Sequence, residues 1–285
     1  MSSMYVINSR GDKELFSEQK LYNSVKRTAL SDQLAEEIFD SVKKEIYPDI
    51  KTSEIFRKIK KKLSRKSKAG AARFNLKEGM RKLGPTGFPF ERFAAEVLRS
   101  IGFDVKIGQH IPGRCLKDYE IDFIARKKGL VYVGECKYRN LSGDRVHQQD
   151  ALANYARFQD ILAGPYFKSG QYDNCAIKTI LITNTKFTGN AFDYSSCVGV
   201  DLLGWRTPRN EGLEYLIEKH KLYPVTLLHS LKGYLKDILV SEELSLISDV
   251  AKINPEKFSA KFRVPAGHIR SLVEEARDLT EKFEA

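Results

Sequence analysis

Tyr119-Glu-Ile-Asp-Phe-Ile-Ala-Arg-Lys-Lys-Gly-Leu-Val-Tyr-Val-Gly-Glu-Cys-Lys137 reads as two strands meeting at a turn. Apolar and polar residues alternate through the second half, so residues two apart share a face. Glu135 and Lys137 therefore point the same way, together with Val131 and Val133. A turn centred between Lys127 and Lys128 pairs Asp122 with Val133. That sets Asp122 on the face of Glu135, diagonally related at roughly 7–8 Å. A slip of one residue would send Asp122 to the opposite face. Cys136, between Glu135 and Lys137, is expected to face away from this site and into the core.

Two carboxylates converging on one point repel each other, and a divalent cation relieves the repulsion. Few, hard oxygen ligands suit Mg²⁺ or Mn²⁺, which completes its shell with water and substrate phosphate. Lys137 would then orient the attacking water, or help deprotonate it, and balance charge on the phosphorane. The chemistry is metal-assisted phosphodiester hydrolysis. Standing alone, an E-x-K triplet on a strand also describes a solvated ion pair.

At these residues the chain resembles the PD-(D/E)xK nuclease superfamily, in its Mrr-type restriction endonuclease and archaeal junction-resolvase-like branch. The resemblance implies that Asp122 and Glu135 bind metal and that Lys137 is catalytic. It extends upstream to Phe88-Pro-Phe-Glu-Arg-Phe-Ala-Ala-Glu-Val-Leu-Arg-Ser-Ile-Gly-Phe-Asp-Val105, a helix, a glycine and a strand. Glu91 matches the family's acidic position near the helix start and is an implied extra metal ligand. A glutamate in a first helical turn is also favoured by the helix dipole alone. Downstream, Val146-His-Gln-Gln149 opens a helix where relatives place a glutamine or a basic residue. Gln148 and Gln149 are candidates there, although a polar helix start needs no functional reason.

Around this centre the sequence predicts three domains: 1–84, 85–208 and 209–285. The first opens with a hairpin, Met4 to Phe16, turning at Gly11-Asp12. Helical patterns follow over 17–29, 31–46 (Ser31 as N-cap), 51–68 and 69–83. The pattern Arg10-Gly-Asp-Lys-Glu-Leu-Phe-Ser-Glu-Gln-Lys20-Leu-x-x-Ser24-Val25-x-Arg27 resembles the ATP-cone domain. The resemblance implies an adenine nucleotide (ATP or dATP), with Lys20 and Arg27 on its phosphates and Val6, Ile7 and Val25 around the base. The chain carries Asn8-Ser9 before a single Arg10 where the family often has a valine-x-lysine-arginine run. A small helical domain without a ligand is the alternative.

Turn formers at Leu83-Gly-Pro-Thr-Gly-Phe-Pro-Phe90 mark the first boundary. Beyond it the sequence predicts a helix over 146–162 with Leu152, Tyr155, Ala156 and Ile161 on its apolar face and Phe158 on a flanking stripe. A core strand over 176–183, a short helix over 187–196 and a strand over 198–204 follow. Strands alternating with helices around a hairpin give a mixed sheet flanked by helices, an α+β or α/β class. This agrees with a restriction-endonuclease-like fold. After Pro208 come helices, including one over 227–240 and a last one over 271–283. Turns at Gly233, Asn254-Pro255 and Pro265-Ala-Gly267 allow a backbone-binding helical module or a plain packing or dimerisation domain.

The 285 residues carry a formal net charge of +11 and a 42% hydrophobic fraction, which supports a packed core. Residues 1–84 hold 20 Lys+Arg and 11 Asp+Glu, so +9 of the charge lies there. Nine bases and no acid fall between Arg57 and Arg73. Such a run is usually a solvated helical face; beside a nuclease it is also a contact for phosphate backbones. No apolar run reaches the roughly 20 residues that span a bilayer, and no signal sequence opens the chain. Cys115, Cys136, Cys175 and Cys197 lack paired spacing, so reduced thiols and a cytoplasmic setting are expected.

The expected function is a metal-dependent DNA endonuclease of restriction, nickase or resolvase type, possible regulation coming from the nucleotide. Two-strand cleavage predicts a homodimer. The alternative is a non-catalytic, nucleotide-responsive DNA-binding or regulatory protein; RNA as substrate is disfavoured by the resemblance alone.

Overall fold

The computed structural model describes residues 4–8, 11–28, 31–84, 88–168 and 170–284. The chain divides into two units, residues 1–78 with 278–285 and residues 79–277. Ser9 and Arg10 of the cone motif and residues 85–87 of the expected boundary lie outside the described residues.

In the first unit, β1 (Tyr5–Ile7) pairs antiparallel with β2 (Lys13–Leu15), as the Gly11-Asp12 turn predicts. Gly11 takes φ 92°, a left-handed conformation in which glycine avoids a Cβ penalty. Helices α1 (Glu18–Lys26), α2 (Asp32–Lys43), α3 (Thr52–Lys66) and α4 (Lys68–Arg81) follow. Ser17 and Ser31 cap α1 and α2 by accepting from the Lys20 and Leu34 amides, satisfying donors the helix leaves open. On α3, Ile55, Ile59 and Leu63 recur at one turn and are buried against Ile38 and Val42 of α2 and Val25 of α1. That stripe fixes which face of the basic helix points outward. Asp278 receives Lys68 at 3.3 Å, and Arg73 lies over the Phe283 ring, closing the unit with the end of the chain.

The second unit opens with α5 (Phe88–Ser100), β3 (Asp104–Ile111), β4 (Tyr119–Lys127), β5 (Leu130–Lys137) and β6 (Arg145–Val146). Then come α6 (Gln148–Ala163), β7 (Ala176–Thr183), β8 (Lys186–Phe187), α7 (Gly189–Val198) and β9 (Val200–Leu203). Five strands form one mixed sheet in the order β3-β4-β5-β7-β9, antiparallel up to β5 and parallel beyond it. Strands β6 and β8 make a separate small pair.

The β4–β5 register differs from the expected one by two residues. Lys127 pairs with Leu130, and Phe123 with Gly134, so the ladder leads Asp122 opposite Glu135 rather than Val133. The cause is the turn. Lys128 and Gly129 both take positive φ (41° and 76°), making a two-residue loop that fits the twist of a hairpin. A shift of two preserves the face, so Asp122 and Glu135 stay on the same side.

Ile124, Val131 and Val133 pack with Phe158 and Ile161 of α6. The buried face of α6 is Ala151, Asn154, Phe158 and Ile161; of the predicted face Ile161 is buried and Tyr155 half-buried, while Ala156 is exposed and Leu152 is 45% exposed. Asn154 is buried because Thr179 satisfies it: its Nδ2 donates to Thr179 Oγ1 at 3.0 Å, and that hydroxyl donates in turn to the Val133 carbonyl.

The residues after Pro208 do not stand as a third unit. They form α8 (Leu213–His220), α9 (Gly233–Ser241), α10 (Ile247–Ala251), α11 (Pro255–Phe262) and α12 (Ala266–Glu284). Helix α8 packs on α5, and the Thr226 hydroxyl donates to the Gly79 carbonyl. The helix predicted over 227–240 begins only at Gly233. Glu275 accepts from the His229 and Ser230 amides at 2.9 and 2.8 Å, drawing those groups out of any helical ladder. The last helix begins at Ala266, not Ser271.

Gly134 has a sharp requirement. A Cβ there would lie 1.9 Å from Cζ of Phe123, its cross-strand partner, which is fully buried. Gly134→Ala is expected to cost about 3 kcal/mol through overpacking, measured as a lower urea midpoint at unchanged slope.

Candidate acidic site

The acids meet where β4 and β5 leave their ladder. The Cys136 amide donates to Asp122 Oδ2 at 2.6 Å, so the carboxylate takes the backbone bond a next ladder pair would have made. Beyond Cys136, the strand end is held by β7. Thr183 donates to the Lys137 carbonyl at 2.6 Å, and the Asn184 side chain bonds both the amide and the carbonyl of Arg139. These buried partners hold Glu135 and Lys137 on rigid backbone.

Glu135 is 6% exposed, and two cations balance it. Lys137 Nζ donates to Oε1 at 2.5 Å, and the Arg157 guanidinium stands against Oε2. Oε2 is thus charge-paired with Arg157, and Oε1 with Lys137. Arg157 was not singled out from the sequence. Its signal was that it is the one basic residue of α6, set beside the buried Phe158.

Asp122 carries the imprint of Glu135, and Glu91 that of both. Burial first, then Glu135, raises the Asp122 carboxyl to about 6, against the opposing pull of the Cys136 amide, Arg157 and Lys137. Burial, then Asp122 and Glu135, raises Glu91 to about 7. Glu91 therefore reaches the same field from the first turn of α5. Cys136 is half-buried, and burial followed by Asp122 and Glu91 keeps its thiol protonated.

The donor chemistry of Glu91, Asp122 and Glu135 is that of a hard divalent ion: carboxylate oxygens, no sulfur, no imidazole. Among the described residues, no three acidic, imidazole or thiol groups stand close enough to hold an ion as they are. Lys137 and Arg157 occupy Glu135 instead. The donor types fit a cation, and in this structure Lys137 and Arg157 balance Glu135.

Gln148 and Gln149 open α6 after His147, whose amide donates to Asp150; Gln149 is exposed and Gln148 half-buried. In the first unit, Val6 and Val25 are buried core residues, which places their surfaces against neighbouring side chains. Ile7 is half-buried and its amide donates to the Ile50 carbonyl, while Lys20 and Arg27 are exposed. Among the described residues, no helix is long and apolar enough to cross a membrane.

Comparison with known proteins gives three matches. Residues 4–77 match the ATP cone domain. A protein of Archaeoglobus fulgidus, named only as an uncharacterized protein, is 33% identical over 183 residues, 64% of this chain and 97% of that protein. The crystal structure of AF1548, a protein of unknown function, aligns with a TM-score of 0.58 at 31% identity, covering 68% of this chain and 98% of that one. Sharing this identity over nearly the whole of both relatives, the chain belongs to their family, and an ATP cone domain stands at its N-terminal end.

Proposed function

We propose that the second unit is a metal-dependent DNA endonuclease of the PD-(D/E)xK type and that the ATP cone binds an adenine nucleotide that regulates it. One observation carries the nuclease reading: Asp122 and Glu135 share one face of the hairpin with Lys137 on Glu135, and burial, followed by the neighbouring carboxylates, raises Asp122 to about 6 and Glu91 to about 7. Clusters of this kind, with desolvation and a named charge partner, mark functional sites.

Asp122 and Glu135, with Glu91, are the residues that would hold Mg²⁺ or Mn²⁺. Such an ion supplies Lewis acidity toward a phosphodiester and an acidified water. Asp122 and Glu91 give up the protons that burial, and then the neighbouring carboxylates, retain. Lys137, freed from Glu135, balances charge at the scissile phosphate and orients the attacking water. Arg157 keeps Glu135 in place during the exchange. Lys20 and Arg27 are the candidates for the nucleotide phosphates. One centre nicks; cutting both strands takes two, which calls for a homodimer or for two chains meeting on the DNA.

A second reading, a non-catalytic nucleotide-responsive DNA-binding protein, is favoured by the pairing of Glu135 with two cations, which leaves it balanced without metal. The test is incubation of the full chain with supercoiled plasmid and with a four-way junction, in Mg²⁺ or Mn²⁺, with and without ATP. Nicking or linearisation supports the nuclease. Intact DNA on both substrates, with binding retained, supports the second reading.

A further inference from the structure

The stripe that buries Ile55, Ile59 and Leu63 turns Arg57, Lys61 and Arg65 outward along the opposite side of α3. Spaced four residues apart, they climb about 6 Å per step. All three are exposed, and none has an ion-pair partner among the described residues. Beside them, Lys58 and Lys62 are held by Glu45 at 3.0 and 2.7 Å. These six residues line a cleft of about 380 Å³ with five positive charges and one negative.

We infer that this face of α3 is a rail for a nucleic-acid backbone, on which Arg57, Lys61 and Arg65 each take one of successive phosphates of a DNA strand. The regular rise matches a repeating anion rather than a single one. None of the six lining side chains is apolar or aromatic, so the cleft itself suits an anion rather than a base or an acyl chain. Glu45 fixes the two inner lysines, whose charges add to the field without their having to move. The contact is sequence-independent and gains its affinity from counterion release. It stands on the charge pattern of the first unit and is read by binding, so it and the nuclease reading fail separately.

The test measures affinity of the full chain for a duplex in EDTA, where hydrolysis plays no part, across a salt series. The variant is Arg57→Gln/Lys61→Gln/Arg65→Gln. Its control is Lys232→Gln/Lys252→Gln/Lys257→Gln, an equal change of charge at exposed sites of the second unit. The α3 variant is expected to bind about ten-fold more weakly at 0.1 M salt, and its slope of log affinity against log salt is expected to fall by about 3. The control should keep the parent slope. Four results would overturn the inference: no binding by the parent, an unchanged slope in the α3 variant, equal losses in both variants, or displacement of the duplex by equimolar tripolyphosphate, which would make the cleft a small-anion pocket.

Discussion

Lys137→Ala should lower metal-dependent cleavage of plasmid DNA by about 10³-fold, within the range of one positioned proton-transfer or charge-balancing group. The fold should survive the change. Arg157 remains on Glu135, so the buried carboxylate is not left alone, and the stability loss should stay at about 1.5–3 kcal/mol, the value of one charged hydrogen bond. Glu135→Ala is a poorer probe. It strips Lys137 and Arg157 of their shared carboxylate, and unpaired, partly buried charges cost about 3–5 kcal/mol. Cleavage rate and thermal midpoint measured on one preparation separate the two effects. Full activity in Lys137→Ala would remove Lys137 from the chemistry.

The second large effect is on stability against pH. Asp122 and Glu91 hold protons in the folded chain up to about 6 and about 7, well above their ordinary ranges. Between the ordinary carboxylate range and those values, the native state binds more protons than the unfolded one. Stability therefore falls as pH rises through that window and levels off above it. Both groups are partly exposed and both feel Glu135, so the loss between pH 5 and 8 is roughly 2–3 kcal/mol for the pair rather than the sum of two shifts. For a unit of this size that is a drop of roughly 5–10 °C in thermal midpoint. Asp122→Asn should flatten the profile, because an amide keeps the acceptor for the Cys136 amide and removes the charge. A profile flat in the parent chain would mean that burial and the neighbouring carboxylates do not hold these protons.

The hairpin was legible because alternation and a Lys-Lys-Gly turn fix two strands and their faces, and face is what brings Asp122 to Glu135. The register was not. A two-residue loop with positive φ at Lys128 lacks the Asn-Gly or Asp-Gly signature that announces such turns. Glu91 enters through the resemblance alone; in the structure it is half-buried, and burial followed by Asp122 and Glu135 raises its carboxyl. Arg157 escaped because its role depends on which face of α6 meets the sheet. Ranking Leu152 above Asn154 by hydropathy rotated that helix, whereas the Thr179 hydroxyl makes Asn154 a core residue. The break before Gly233 was hidden for a similar reason: Glu275, 45 residues away, supplies the acceptors that end the helical option at Ser230. Local pattern carries element type; long-range polar partners decide rotation and ends.

That Glu91, Asp122 and Glu135 form a cation site is the claim on which the nuclease reading stands, and calorimetric titration of Mn²⁺ tests it most directly. The titration would use the parent chain and Glu91→Gln/Asp122→Asn at pH 6.5 and pH 8 in buffers of different ionisation heat. The expected result is one ion per chain in the parent, more protons released at pH 6.5 than at pH 8, and no such binding in the variant. Absence of binding in the parent, or binding that the double substitution leaves unchanged, would contradict it.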